Sequence, residues 1–339
     1  MVLFLGAGAT QPFGPKTLQS SALMEKVFSV VENEFGSHII ANMKEKLRKH
    51  RLPLNFESIA TIMEFFKNPE EVMKESGPLT AYLTEDLSSN DYREEAGRVS
   101  AKLKTIMYKN CVKLKREKIQ QYYDRLFKVM VSVEGGLYPR EIFTTNYDLS
   151  IEQYFEIKRK SRILNDGFVE RQSSRWRIFE PHMSYGPPDK SKGTRLFKLH
   201  GSIDQVIRNQ IILKGPRDSK IYKIEFDKDM MIYPIGEKYI SRYPYLDLIY
   251  YFYRIPWDLG IVIGFSFTDL PITNIFYDHV KRNSNSRVIL VDKDPHKIMQ
   301  YNLMMKELYE KDRIVLIKGY FGKEDTFGKI EKNIKKIVK

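Results

Sequence analysis

The chain opens with Met1-Val-Leu-Phe-Leu-Gly-Ala-Gly-Ala-Thr-Gln-Pro-Phe-Gly-Pro-Lys-Thr17. Residues Val2 to Leu5 are continuously apolar, which is typical of a strand covered on both faces in a parallel sheet. The run ends in Gly6-Ala-Gly8, where small or absent side chains allow main-chain N–H groups to approach a pyrophosphate. The stretch therefore predicts a strand leading into a nucleotide-binding loop, with a plain tight turn as the alternative.

This opening matches the dinucleotide-binding fingerprint only in part. The third glycine of the pattern G-x-G-x-x-G would fall at position 11, which is Gln11. No strand ending in an acidic residue follows about twenty positions later, where a dehydrogenase binds the ribose hydroxyls. The sequence therefore favours a nucleotide-binding sheet over an ordinary hydride-transfer enzyme.

Length and composition exclude several classes of protein. With 339 residues, of which 42% are hydrophobic, the chain can bury a sizeable core and is long enough for roughly two domains. Its single cysteine, Cys111, excludes an internal disulfide and a four-cysteine zinc site within one chain. The apolar stretch 259–267 is too short to span a bilayer, and no basic segment precedes the first apolar residues. We therefore expect a cytoplasmic protein that uses no zinc and contacts no membrane.

The net charge of +13 raises the question of a polyanionic partner. Clustered Lys and Arg residues bind phosphates by releasing counterions. Here the basic residues concentrate on two predicted helices, 102–128 and 323–339, where a solvated face between apolar positions is the alternative interpretation. Nucleic-acid contact through these helices is therefore a hypothesis that the charge alone does not decide.

The second part of the chain, residues 51–134, has helical periodicity and no strand-like alternation. Apolar residues recur every three or four positions from Ser20 to Lys49 and again from Asp91 to Val133, a stretch without proline. Between them, Asn55 and Asn68 are typical helix-capping residues. We therefore expect an all-helical insertion at 51–134.

From residue 135 onward, strand and helix patterns alternate, which indicates a doubly wound parallel sheet with right-handed connections. A small β excursion at about 160–235 interrupts the alternation. The predicted fold class is therefore α/β, a Rossmann-like domain formed by residues 1–50 and 135–339. Its predicted strands after the first are 141–145, 195–199, 260–263, 287–291 and 314–317, its predicted helices are 149–157, 243–253, 272–281 and 296–309, and a hairpin is predicted within 210–231.

Ligands of such sheets bind beyond the carboxyl ends of the strands. A histidine at a strand end is suited to act as a general base near neutral pH. Each polar residue also has a structural alternative: Asn146 as a helix cap, Asp148 as a charge at a helix N-terminus, and His200 as a buried structural group. The loops at the predicted strand ends are Gly6 to Thr17, Asn146 to Asp148, His200 to Ser202, Gly264 to Asp269, and Asp292 to Asp294.

Taken together, these loops resemble the sirtuin-like NAD hydrolases of prokaryotic defence systems over nearly the whole chain. The resemblance rests on four motifs in the same order and spacing: Gly6-Ala-Gly8-Ala-Thr10 with Pro12-Phe-Gly14-Pro15-Lys-Thr17, Thr144-Thr-Asn146-Tyr-Asp148, Lys198-Leu-His200-Gly201-Ser202, and Gly264-Phe-Ser266-Phe-Thr-Asp269.

The resemblance implies a Rossmann-like NAD-binding domain that cleaves the bond between nicotinamide and ribose. It implies that Asn146 holds the attacking water and the ribose, that His200 assists as a base, and that Asp148 faces the carboxamide. The implied NAD-binding residues are Gly6, Ala7, Gly8, Ala9 and Thr10 around the pyrophosphate, and Gly264, Ser266 and Asp292 toward the adenosine.

The resemblance leaves the partners and the exact reaction open. Without a zinc module, NAD hydrolysis is favoured over a zinc-free deacylase or ADP-ribosyltransferase. An inactive nucleotide-binding subunit of a larger complex is a further alternative. Relatives imply a homo-oligomer, a DNA-translocating ATPase or a nucleic-acid-sensing protein as partner, and an ATPase would be a separate polypeptide because the chain lacks a G-x-x-x-x-G-K-[ST] loop.

Overall fold

A computed structural model describes residues 1–13, 21–36, 93–112, 114–134, 138–170, 176–180, 193–209, 211–215, 228–229 and 245–338, and positions 41, 44, 45, 48, 59, 60, 62 and 63. The helices are α1 (Ser21–Phe35), α2 (Arg93–Val112), α3 (Arg116–Glu134), α4 (Ser150–Ile157), α5 (Tyr245–Arg254), α6 (Leu270–Arg282), α7 (Pro295–Tyr301), α8 (Leu303–Glu310) and α9 (Glu324–Val338). The strands are β1 (Val2–Leu5), β2 (Glu141–Thr144), β3 (Leu164–Asn165), β4 (Phe168–Glu170), β5 (Arg177–Phe179), β6 (Thr194–Lys198), β7 (Gln205–Arg208), β8 (Ile211–Lys214), β9 (Lys228–Asp229), β10 (Leu259–Ile263), β11 (Arg287–Asp292) and β12 (Ile314–Lys318).

The central sheet has seven parallel strands in the order β12-β11-β10-β1-β2-β6-β3. From β6 to β12 this order repeats the 3-2-1-4-5-6 order of doubly wound nucleotide-binding sheets, with β3 added at one edge. The strand β1 lies at the point where the winding direction reverses, and its neighbours are β10 and β2. The predicted fold class, a doubly wound Rossmann-like parallel sheet, is confirmed.

Both faces of the sheet are buried, which explains why β1 is apolar at every position. Val2 and Phe4 point to the face covered by α5 to α8, where Phe252 and Phe276 pack against them. The other two residues of β1, Leu3 and Leu5, point to the face covered by α3, α4 and α9. Because side chains alternate along a strand, a continuous apolar run fits two covered faces.

Several predicted helices are shorter than expected because a local residue ends them. The helix predicted from Ser20 to Lys49 is interrupted after Phe35, where Gly36 takes a φ of 86° and its N–H donates to the Glu32 carbonyl at 2.8 Å. Glycine adopts this left-handed conformation without steric cost and commonly ends helices. The predictions for residues 49–58 and 64–92 lie outside the described residues.

Two other predicted helices are each divided in two. The pattern from Asp91 to Val133 contains α2 and α3, and at the break the Lys115 N–H donates to the Phe13 carbonyl at 2.8 Å. The pattern from His296 to Tyr309 contains α7 and α8, separated by Asn302, whose side chain accepts from the Met305 N–H at 3.0 Å. Apolar periodicity does not reveal such breaks, because the spacing continues across them.

A second, antiparallel sheet has the order β4-β5-β8-β7-β9. The hairpin predicted within 210–231 instead joins β7 and β8, and Asn209 with a φ of 50° lies in its turn. The strand β7 was therefore missed: it begins soon after the His200 loop. Asparagine tolerates this left-handed conformation better than most residues, which suits a tight hairpin.

The division of the chain into a Rossmann-like domain and an insertion at 51–134 stays a prediction. Within that range, α3 packs on the central sheet through Ile119, Tyr123 and Leu126, whereas α2 packs against α1 with an ion pair between Arg98 and Glu34 at 2.9 Å. No helix within the described ranges has the length and apolarity needed to cross a membrane.

Candidate active site

The candidate site lies at the carboxyl edge of the central sheet. Leu5, Thr144, Lys198 and Ile263 occupy equivalent positions at the ends of four neighbouring strands. The loops that begin at Gly6, Thr145, Leu199 and Gly264 therefore leave the same edge side by side, and β11 ends at Asp292 one strand further on. The five loops predicted at the strand ends thus begin at one edge of the sheet.

The loop that begins at Gly6 after β1 (the β1 loop) and the loop that begins at Gly264 after β10 (the β10 loop) touch each other. Their glycines are required for this contact. A Cβ atom on Gly6 would lie 2.5 Å from the Gly264 oxygen, and one on Gly8 would lie 2.7 Å from the Gly264 Cα atom. Gly264 itself has a φ of 64°, a conformation that favours glycine. Close packing of two main chains, and not only the approach of a ligand, thus demands these glycines.

The N–H groups of the β1 loop are engaged within the protein. Those of Gly6 and Gly8 donate to the carbonyls of Ile263 and Gly264 at 2.9 and 3.0 Å, and those of Ala9 and Thr10 donate within the short 3₁₀ turn Ala7–Ala9. We expected such groups to face a pyrophosphate. The structure instead uses four of them to build the loop, so the assignment of Gly6, Ala7, Gly8, Ala9 and Thr10 to a cofactor stays a prediction.

The Asn146 side chain faces the β1 loop. Its amide Nδ2 donates to the Gly6 carbonyl at 2.9 Å and to the Thr10 hydroxyl at 2.9 Å. The N-cap residue of the helix that follows is Leu149, so Asn146 is not its capping residue. The capping alternative for Asn146 is therefore excluded, and the amide is half-buried at the carboxyl edge.

Asp148 is joined to the same loop from the other side. Its Oδ2 atom accepts from the Thr10 hydroxyl at 2.6 Å, and its Oδ1 atom accepts from the Ser150 N–H at the start of α4 at 2.8 Å. The second contact agrees with the alternative in which Asp148 stabilises the N-terminus of its own helix. Thr10 thus links Asn146 and Asp148 by accepting from one and donating to the other.

His200 forms a buried pair with Asp269, a residue for which no role was predicted. The distance from His200 Nε2 to Asp269 Oδ2 is 2.7 Å, and both side chains are more than nine-tenths buried. Asp269 follows β10, which is separated from β6 by β1 and β2. The loops after β10 and β6 therefore together bridge about three strand spacings, or about 14 Å, to bring Asp269 and His200 into contact.

Asp269 is fixed by a second contact, because its Oδ1 atom accepts from the Ile272 N–H at 3.2 Å and caps α6. One carboxylate thus caps a helix and contacts an imidazole. A carboxylate bonded to one ring nitrogen orients a histidine and sets its tautomer, which is the arrangement of a general base.

Two further titratable groups near Asp148 do not exchange protons at neutral pH. Burial first, and then the charge of Asp148, raise the pKa of the Tyr123 hydroxyl well above its ordinary value. The same two causes raise the pKa of the buried Cys111 thiol. Tyr123 therefore remains a neutral hydroxyl paired with Ser150 at 3.0 Å, and Cys111 remains a thiol that is a poor nucleophile.

The remaining predicted residues lie at the margin of the site. Ser266 is exposed and its hydroxyl is 2.9 Å from that of Thr268. Asp292 is half-buried, and its Oδ1 atom accepts from the Asp294 N–H at 2.9 Å. Ser266 follows β10 and Asp292 ends β11, two strands on the opposite side of β1 from β2 and β6, and the roles of both residues stay predictions.

A family model described as SIR2-like domain matches residues 140–317, which is more than half of the chain. The chain belongs to the SIR2-like domain family. The matched region of this SIR2-like domain includes Asn146, Asp148, His200 and Asp269, and it begins after the β1 loop.

Two solved structures resemble the SIR2-like domain protein at a distance. A crystal structure of a Sir2 homologue in complex with NAD is 13% identical, with 100% of this chain and 90% of that chain covered and a TM-score of 0.47. A second structure, described as showing the structural basis for the mechanism and regulation of Sir2 enzymes, is 14% identical. The match covers 99% of this chain and 92% of that chain, with a TM-score of 0.44. The comparison with curated proteins gives no match.

Proposed function

We propose that this SIR2-like protein hydrolyses NAD at the bond between nicotinamide and ribose, releasing nicotinamide and ADP-ribose. The observation that carries the proposal is the position of Asn146 and His200, which follow the neighbouring strands β2 and β6 at the edge where doubly wound sheets bind nucleotides, together with the pairing of His200 with Asp269. Membership of the SIR2-like family adds support, because the Sir2 homologue named above was solved with NAD.

The reaction needs an oriented water more than a strong acid. Nicotinamide in NAD carries a positive charge, so it leaves with the electron pair of the C–N bond and becomes neutral. The ribose carbon is then attacked by a water oxygen, and the water must lose one proton to give ADP-ribose. A fixed dipole and a correctly placed base lower the barrier of such a step.

In this proposal Asn146 binds the ribose and the attacking water, and His200 takes up the proton that the water releases. Asp269 holds the imidazole through the 2.7 Å contact. It also stabilises the positive charge that His200 acquires, as the carboxylate does in other Asp-His pairs. Asp148 faces the carboxamide of nicotinamide. The Thr10 hydroxyl holds the Asp148 and Asn146 side chains in a fixed position relative to each other.

The rest of NAD lies along the β1 and β10 loops in this proposal. Gly6, Ala7, Gly8, Ala9 and Thr10 surround the pyrophosphate, and Gly264, Ser266 and Asp292 lie toward the adenosine. Four N–H groups of the β1 loop already form hydrogen bonds within the protein. The β1 loop therefore contributes mainly a main-chain surface that the pyrophosphate can approach closely, because no bulky side chains cover it.

The biological setting is proposed from the resemblance of the motifs alone. We infer that the protein is an NAD-depleting effector of an antiphage system in the cytoplasm and that it assembles as a homo-oligomer or with a partner subunit. Such a partner would hold the activity in check until infection. Measuring NAD in cells that express the protein, with and without phage, tests this setting separately from the chemistry.

The activity is tested by incubating the purified protein with NAD and separating the products by chromatography. We expect equal amounts of nicotinamide and ADP-ribose, and loss of both on Asn146→Ala or His200→Ala. The half-buried Asn333 on α9 and the exposed His296 provide matched controls, and their alanine variants should retain the wild-type rate. Full activity in both site variants would exclude the proposed roles, and turnover that requires an added acylated peptide would support a deacylase instead.

A further inference from the structure

Lys198, the last residue of β6, is a buried cation between two loops of the candidate site. Its side chain is 4% exposed. The ammonium donates to the Asp148 carbonyl and to the Ser202 hydroxyl at 2.8 Å, and the Tyr147 carbonyl lies 3.5 Å away. One ammonium group therefore contacts the loop that carries Asn146 and the loop that carries His200.

The position of Lys198 follows from strand alternation. Leu196 points to the face covered by α4, and Lys198, two residues later, points to the same side. There the ammonium lies 3.3 Å from Glu152 Oε1 on α4, a side chain that is also 4% exposed. A buried cation is tolerated only with such a partner, because removing a charge from water is costly.

Ser202 strengthens the link between the loops. Its hydroxyl accepts from Lys198 and donates to the Tyr147 carbonyl at 3.3 Å, and the Ile203 N–H donates to the same carbonyl at 3.2 Å. The carbonyls of residues 147 and 148 are thus held by donors from β6 and the loop that follows it. This fixes the distance between the main chains that carry Asn146 and His200.

We propose that Lys198 is a positioning residue that holds the Asn146 loop and the His200 loop in the relative arrangement needed for catalysis. The proposal rests on the proposed function for its kinetic consequence. Its structural consequence, that the two loops loosen together when the ammonium is removed, does not depend on the reaction.

A second buried lysine in the same network provides a matched control. Lys214 at the end of β8 is 2% exposed and bonds to Glu152 Oε1 at 3.1 Å and Asp166 Oδ2 at 2.8 Å, with Asp204 Oδ2 at 3.5 Å. Within the described part of the chain, no hydrogen bond joins it to residues 146–148 or 200–202. Removing either lysine disturbs Glu152, but only Lys198 contacts both loops.

The test compares Lys198→Met with Lys214→Met at a temperature where circular dichroism shows both to be folded. For Lys198→Met we expect kcat to fall about 100-fold with KM for NAD changed less than about threefold, because a displacement of about 1 Å in the site costs that much. For Lys214→Met we expect kcat within about threefold of wild type. Hydrogen–deuterium exchange of residues 146–150 and 200–203 should rise only in Lys198→Met.

Equal losses of kcat in the two variants, or an unchanged kcat in Lys198→Met, would overturn the proposal. If either lysine variant does not fold, two other variants are compared. Ser202→Ala removes one link without removing a charge, and Arg177→Met changes a residue at the far end of the network, where the guanidinium lies 2.9 Å from Asp166 Oδ2. Ser202→Ala should then lower kcat about tenfold and Arg177→Met should not. If the wild type does not hydrolyse NAD, the proposed function fails. The hydrogen–deuterium exchange of the two loops in Lys198→Met and Lys214→Met then decides by itself whether Lys198 holds the loops together.

Discussion

At the scale of single residues, the two carboxylate oxygens of Asp269 contact different groups. Oδ1 accepts from the Ile272 N–H at the start of α6, and Oδ2 contacts His200 Nε2. An asparagine at this position is as good a helix cap as aspartate. It cannot stabilise a protonated imidazole or hold the same tautomer, so the two functions of Asp269 are separable.

We therefore expect Asp269→Asn to lower kcat for NAD hydrolysis by about 100-fold or more while the melting temperature changes little. Steady-state kinetics and thermal denaturation on the same preparation measure both effects. Asp278→Asn, on the exposed face of the same helix, is the control. A kcat of Asp269→Asn equal to that of the control would mean that the His200–Asp269 pair has no catalytic role.

The residues of the site differ in how far the sequence alone could identify them. Asn146, Asp148 and His200 follow recognisable strands, so their place at one edge could be predicted. Asp269 could not be paired with His200, because the two are separated by 69 positions and no periodicity joins them. Lys198 was visible only as a charge at the end of an apolar strand, which carries no signal about its acceptors.

At the scale of elements, the close contact between the β1 loop and the β10 loop shapes the edge of the sheet. Gly8 and Gly264 touch through their main chains, and Phe267 in the β10 loop has a φ of 56° while its carbonyl accepts from Asn302 at 2.9 Å. A non-glycine residue in this conformation is strained and persists only where packing holds it. The sequence predicted both loops, but not that one supports the other.

Gly264→Ala should force these two loops apart, because a Cβ atom at this position would lie 2.4 Å from the Gly8 Cα atom. We expect the free energy of unfolding, measured by urea denaturation, to fall by about 1–3 kcal/mol. Gly328→Ala, on the exposed face of α9 where a Cβ atom meets nothing within 4 Å, should instead raise it by about 0.5–1 kcal/mol. Equal effects of the two substitutions would refute the packing role of Gly264.

Helix boundaries were predicted less well than strands. Gly36 ends α1 locally, but two other breaks also involve tertiary contacts. A buried parallel strand is marked by its own apolar residues, whereas the breaks near Lys115 and Asn302 depend on distant acceptors, the carbonyls of Phe13 and Phe267. Such tertiary hydrogen bonds leave the apolar spacing unchanged. The strands of the central sheet other than β3 could therefore be predicted in order of appearance, and the helices only in outline.

At the scale of the whole molecule, buried charges join the antiparallel sheet to the central one. Arg177 bonds Asp166 through two nitrogens at 3.0 and 2.9 Å, and Lys214 connects Asp166 with Glu152 on α4. Burial alone would raise the pKa of Asp166, but the charges of Lys214 and Arg177 outweigh it and lower that pKa. Despite its own burial, Lys214 has a raised pKa because of the surrounding carboxylates.

Because the pKa of Asp166 is lower in the folded state than in the unfolded chain, its ion pairs stabilise the protein above the unfolded value. That contribution is lost as the pH falls through the folded value. We expect the free energy of unfolding to decline from about pH 5 to about pH 3, and Asp166→Asn to flatten this decline. Glu141, whose pKa is raised chiefly by burial, changes the free energy of unfolding with pH in the opposite direction. The effect of Asp166 is therefore taken from the difference between the wild type and Asp166→Asn. Identical pH profiles for the two proteins would contradict this account.

The central claim is that loops far apart along the chain meet around a single NAD molecule, with Asn146 and His200 at its nicotinamide ribose. A crystal structure of the His200→Ala variant soaked with NAD tests it most directly. We expect the C1′ atom of that ribose within about 4 Å of the Asn146 amide or joined to it through one water. NAD bound elsewhere, or bound with its ribose turned away from Asn146 and residue 200, would contradict the claim.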